Sequence, residues 1–234
     1  MTAPPIAAEV HARLAEIRAA RGGYVLPHHG AMAAALPELH AAYEAMYRAL
    51  TLDDHHLSRH VKEVVWLCIL VACEEPVGTH HLQRFLATGG SEGEAAAVIR
   101  LAGWAAGARR FATMEATWSR YLPGVAMAGE YRAGAIDLAG GALDEATLRL
   151  ALLGAQTALD QGWALAAEIE AAYAAGVPEP HIAEAMSLAI WPRGVNAFVR
   201  ATEVWLGLMR AGRVTPSDAF RAWADVSGQG AMAL

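Results

Sequence analysis

The chain has 234 residues, 55% apolar and 18% charged, with a net charge of −6; an ordinary soluble domain carries about 25% charge. Such a length can bury roughly 70% of its unfolded surface, and without a charge tract, a Gly period or a sustained heptad it excludes a disordered, collagenous or coiled-coil chain. The one tight basic cluster, Arg109 and Arg110, is too small to release many counterions, which argues against a nucleic-acid partner.

In chain order, the first residues lack a basic stretch followed by an apolar one, so no signal peptide is expected. Residues 24–30, with Pro27 and two histidines, read as a connection or a lid. Pro37, Glu38 and Leu39 open an amphipathic helix to residue 50, and a second helix is expected over 57–73 after the acidic turn at Asp53 and Asp54. Its apolar run, 64–73, is shorter than the roughly twenty residues of a membrane span. A third helix over 78–88 stops at Gly89 and Gly90, and Ser91 with Glu94 caps a fourth to about residue 103. Strand-type alternation is nearly absent, so the class is all-α. Cys68 and Cys73 fall on different faces of the second helix and read as small buried hydrophobes in a reducing compartment. The expected setting is cytoplasmic, without a membrane partner, and the scarcity of polar side chains favours a homo-oligomer, a dimer or trimer.

Sliding the chain along itself exposes a repeat at an offset of 87 residues. Gly89 meets Gly176, Trp104 meets Trp191, Gly107 meets Gly194, Phe111 meets Phe198 and Trp118 meets Trp205. The rarity of Trp and Phe makes this ungapped register informative, and these positions are expected to pack in the core between the halves. The organisation that follows is a first repeat within 1–120, a linker at 121–142, a second repeat at 143–226 and a tail at 227–234.

Glu63, Cys68, Cys73, Glu74, Glu75, His80 and His81 flank the junction of the second and third helices. The aligned positions of the other half, Leu150, Ala155, Asp160, Gln161, Gly162, Ala167 and Glu168, carry no comparable cluster, so a single working site is expected, in the first half. Lys62-Glu63-Val64-Val65, the apolar helix after it, His81, Gly89 and Glu94 together resemble the AhpD-like / carboxymuconolactone decarboxylase superfamily over roughly residues 20–120. That resemblance implies an all-α AhpD-like bundle of two tandem repeats. In the family's redox members a Cys-x-x-Cys pair precedes the histidine; here Glu74 and Val77 stand at those positions, so hydroperoxide reduction is not expected. The decarboxylase members lack the dithiol and keep the histidine. The resemblance therefore implies a cofactor-independent lyase or isomerase acting on a small carboxylated lactone or ring-cleavage product.

The residues suit that chemistry. His81 can act as acid or base near neutral pH, His80 beside it is a further candidate, and Glu63 or Glu74 can orient the imidazole. Lys62 or Arg84 can hold a substrate carboxylate. Trp191-Pro192-Arg193-Gly194 breaks a helix and either aims Arg193 into a pocket or forms a plain corner. Two alternatives stay open. His56, His60 and Glu63 have the spacing to hold zinc or iron on one helix face, which would make an oxidoreductase; the other is an oligomeric scaffold without catalysis.

Overall fold

The computed structural model describes residues 6–20, 23, 25–75 and 78–229. Among the described residues all regular structure is helical. Two compact units divide the chain, Met1–Asp53 and Asp54–Leu234.

The first unit holds α1 (Ala7–Ala20), α2 (Pro27–Ala35) and α3 (Pro37–Tyr47), which runs on into a π-helical turn at Arg48–Leu52. A proline opens both α2 and α3, where its fixed φ suits the first turn and its missing N–H costs nothing. Arg13 donates to the Ala33 carbonyl at 3.0 Å, tying α1 to α2. His28 and Tyr43 share a 2.7 Å hydrogen bond between α2 and α3. Residues 24–30, expected as a connection or lid, are the start of α2 from Pro27 onward, while Tyr24 lies outside the described residues.

The second unit begins with α4 (Arg59–Ala72), α5 (Thr79–Ala87), α6 (Glu92–Gly107), α7 (Arg109–Trp118) and α8 (Met127–Ala139). It continues with α9 (Glu145–Leu159), α10 (Gly162–Ala174), α11 (Glu179–Ser187), α12 (Ile190–Arg193), α13 (Val195–Arg210) and α14 (Asp218–Ala224). The expected caps are present: Ser91 and Glu94 form a reciprocal capping box on α6. Ser58 and Asp144 accept backbone N–H groups at the starts of α4 and α9. At the centre α4 packs along α9. Every residue of α9 from Thr147 to Ala158 is buried, as in a helix enclosed on all sides. The approach is close because Gly154 has no side chain: a Cβ there would lie 2.7 Å from Val65 Cγ1 and 3.0 Å from Ile69 Cδ1.

The helix bounds follow the 87-residue offset. Added to those of α4 it gives 146–159, against Glu145–Leu159 for α9. Added to those of α6 it gives 179–194, against 179–193 for α11 and α12 together. Gly89 and Gly176 both turn through positive φ, at 90° and 71°.

Several expectations need correcting. The fourth helix runs past residue 103 to Gly107. The segment 121–142 is no linker, because most of it is α8, which buries Met127, Tyr131, Ala135 and Ala139. Its glycines misled: Gly134 is required by packing, since a Cβ would come within 2.5 Å of the Trp104 ring, and Gly140 ends the helix in the left-handed conformation. The chain divides at residue 53, and the two halves share one unit through α4 and α9. Trp205 is 1% exposed under Phe220 and Trp223 of α14, whereas its counterpart Trp118 is 52% exposed, so core packing holds for one of that pair. In the tail, Gln229 both accepts from the Trp223 indole at 2.6 Å and donates to the Trp223 carbonyl at 2.7 Å; residues 230–234 lie outside the described residues.

Replacing Gly154 with Leu should therefore overpack the α4–α9 contact and cost roughly 1–3 kcal/mol or more. Denaturant unfolding of the variant beside the parent checks this, and an unchanged midpoint would contradict the close approach.

Candidate active site

Capping by Ser58 starts α4 so that Glu63 and Trp66, three residues apart, share a face. Opposite them, α5 starts close to α4, where a Cβ on Gly78 would run into the Leu70 side chain. This places His81, and Phe85 one turn later, against α4.

His81 and Glu63 are both buried and joined by a 2.7 Å bond from Nδ1 to Oε2. An ionised carboxylate only accepts, so Nδ1 carries the proton and donates, and Nε2 is left with its lone pair. The imidazole stacks on Trp66 at 4.5 Å and 27°, and the His80 ring lies 4.3 Å away. Among the described residues Nε2 has no hydrogen-bond partner. The Trp66 indole N–H is likewise buried without one. Burial lowers the His81 pKa below the ordinary 6.5; the Glu63 bond and charge pull it back up, and the Arg84 charge lowers it further.

The other candidates fall into different places. Lys62 is buried and paired with Glu184 of α11 at 2.8 Å, so it serves the interior and not a substrate. Glu184 also accepts the backbone N–H groups of His56 and Leu57 at 2.7 and 2.8 Å. Burial would raise the Glu184 pKa, yet Lys62 and these two amides hold it low. Glu74 is exposed on the turn after α4 and does not reach His81. Arg84 is half-buried on α5, near enough for its charge to act on His81. Arg193 is exposed, and its charge acts on Cys73.

The metal-binding arrangement is not assembled. His60 bonds Glu94 at 2.9 Å and stacks on Phe85, Glu63 turns to His81, and the His56 ring lies 6.2 Å from that of His181. Among the described residues no three His, Cys, Asp or Glu side chains converge on one point. Both cysteines are free thiols. Burial pushes Cys68 up to about 12 and raises Cys73 as well, so neither supplies a ready thiolate. Val77, the other position of the family's dithiol, lies outside the described residues.

The second half does hold a polar pair, contrary to expectation. Arg149 NH1 donates to Glu168 Oε2 at 3.2 Å, with both side chains buried. The offset of 87 carries Lys62 to Arg149 and His81 to Glu168. Applying that offset to Lys62 as well as to Glu63 would have revealed the pair from sequence; Glu184 gave no comparable signal, since 128 residues separate it from His56. Burial raises Glu168 to about 7 against the pull of Arg149.

Compared with models of known families, with curated proteins and with solved structures, the chain matches none.

Two titrations test these environments. The His81 imidazole, followed by NMR, should titrate below 6.5, and lower still in Glu63→Gln, which removes the interaction that raises it; a rise would contradict the pairing. Glu168, with a folded pKa above its unfolded value near 4.5, contributes stability that is present below pH 4.5 and lost as pH rises through about 7. Glu168→Gln should remove this fall from unfolding curves measured between those pH values.

Proposed function

We propose that the protein is a proton-transfer lyase or isomerase of the carboxymuconolactone decarboxylase type, built as an AhpD-like bundle of two repeats, with His81 as its acid–base group. The observation that carries this reading is the buried 2.7 Å contact between His81 Nδ1 and Glu63 Oε2. Glu63 fixes the tautomer and stabilises the imidazolium, so His81 Nε2 can take a proton from carbon or return one to the carbon from which CO2 has left. Trp66 holds the ring plane by stacking, and burial keeps the imidazole neutral, hence basic, near pH 7. Arg84 is the cation best placed for a substrate carboxylate, since its charge already acts on His81. The substrate class remains a small carboxylated lactone or ring-cleavage product, and no cofactor enters the scheme.

The offset of the helix bounds and the shared turn glycines favour two repeats. The high pKa values of both thiols speak against a peroxidase, and the divergence of His56, His60 and Glu63 against a metal-dependent oxidoreductase. A second reading, an oligomeric scaffold without turnover, draws on exposed apolar side chains such as Leu86, Ile99, Trp118 and Val199, which suit contacts in a dimer or trimer.

With carboxylated lactones as substrates and CO2 release or double-bond migration as readout, His81→Ala should lower kcat about 100-fold or more while circular dichroism and the thermal midpoint hold. Glu63→Gln should lower kcat about tenfold or more through loss of the fixed tautomer. Turnover that survives in His81→Ala overturns the role of His81, and a parent chain that turns over none of these substrates returns the protein to the scaffold reading.

A further inference from the structure

On the side of α5 away from His81 lies a cavity of about 470 Å³ between α4, α5 and α6, within the size range of small-ligand sites. Its walls are apolar: Leu67, Leu70 and Val71 from α4, Leu82 from α5, and Val98 and Ile99 from α6. Neither His81 nor Glu63 lines it. Among the described residues the polar side chains on its lining are Thr79 and the carboxylates of Glu74 and Glu75, and no basic side chain lines it.

The two carboxylates are held there by the way α4 ends. The N–H of Glu75 returns to the Leu70 carbonyl at 2.9 Å and that of Glu74 to Val71 at 3.2 Å, which leaves Glu74 left-handed, with φ 57°, where glycine is usual. Asp160 ends α9 with φ 55°, and there Arg200 Nε donates to Oδ1 at 2.8 Å. At the end of α4 that neutralisation is missing: among the described residues neither Glu74 nor Glu75 has an ion-pair partner. Arg193 acts on the neighbouring Cys73 without lining the cavity. The groove thus offers an apolar trough with uncompensated negative charge at one end, the complement of a small apolar cation.

We propose that the α4–α5–α6 groove binds a small molecule with an apolar body and a protonated amine, the body lying between Leu82, Val98 and Ile99 and the ammonium group against Glu74 and Glu75. This site is separate from the His81 centre and does not depend on what that centre does. The same charge disfavours an anionic ligand, which makes the groove a poor seat for a carboxylated lactone.

Three ligands with one common body test it by titration calorimetry at pH 7: 4-phenylbutylamine, 4-phenylbutan-1-ol and 4-phenylbutanoate. The amine should saturate one site at least tenfold more tightly than the carboxylate, with the alcohol between them. Glu74→Gln combined with Glu75→Gln should bring the amine to the level of the alcohol. Leu82→Lys, at a position 41% exposed, should abolish amine binding at an unchanged thermal midpoint; Ile99→Lys, at 57% exposure, serves if that variant does not fold. His81→Ala should leave the amine affinity unchanged, which separates this site from the proposed catalytic one. Absence of saturable binding, a carboxylate that binds as well as the amine, or unchanged amine affinity in the lysine variants overturns the proposal. A groove filled by a second copy would appear as a dimer in sedimentation with no amine bound, and overturns it too.

Discussion

Everything in the larger unit hangs on the contact of α4 with α9. A helix buried around its whole circumference has no solvent face to set its position, so its place is fixed by the surfaces that meet on it. Gly154 removes one side chain where Val65 and Ile69 need the space, and the two helices then close without a gap. On one side of that seam Phe85, Leu101 and Leu152 pack together; on the other, Trp66, Trp205 and Ile182 do. Because α4 is fixed in this way, Glu63 and Trp66 become a stationary wall against which α5 presents His81.

The two halves solve the same electrostatic problem with different groups. Each brings an ionisable side chain on its second helix against the first helix of its half, away from water. In the first half the partners are an imidazole and a carboxylate, a combination that holds a proton near neutrality. In the second they are a guanidinium and a carboxylate, where the proton on Arg149 is permanent and the pair holds the helices together.

The sequence made the local features legible and left the distant ones hidden. Capping at Ser91, the turn at Gly89, the helical class and the span of α4 follow from rules that act within a few residues. His81 and Glu63, 18 apart, could be named as candidates because a helix junction returns the chain on itself. Three readings failed for a common reason. Gly134 signals a turn by composition, but the Trp104 ring decides it; Lys62 resembles a substrate-binding cation until Glu184 arrives from α11; and Trp118 matches Trp205 in register without a cover like Phe220 and Trp223. Each depends on a partner many residues away, to which local spacing is blind. Glu74 stands near His81 in sequence, whereas the left-handed end of α4 turns it toward the other face.

The Glu184 carboxylate reaches from α11 to the backbone just before α4, besides neutralising Lys62. A newly made chain reaches residue 81 before it has Glu184, so during synthesis the His81 centre exists on paper while its base is loose. Lys62 must stay in water, and the start of α4 unanchored, until more than a hundred further residues have emerged. The contacts that anchor the start of α4, and with it the wall facing His81, are thus completed by a residue translated more than a hundred positions later.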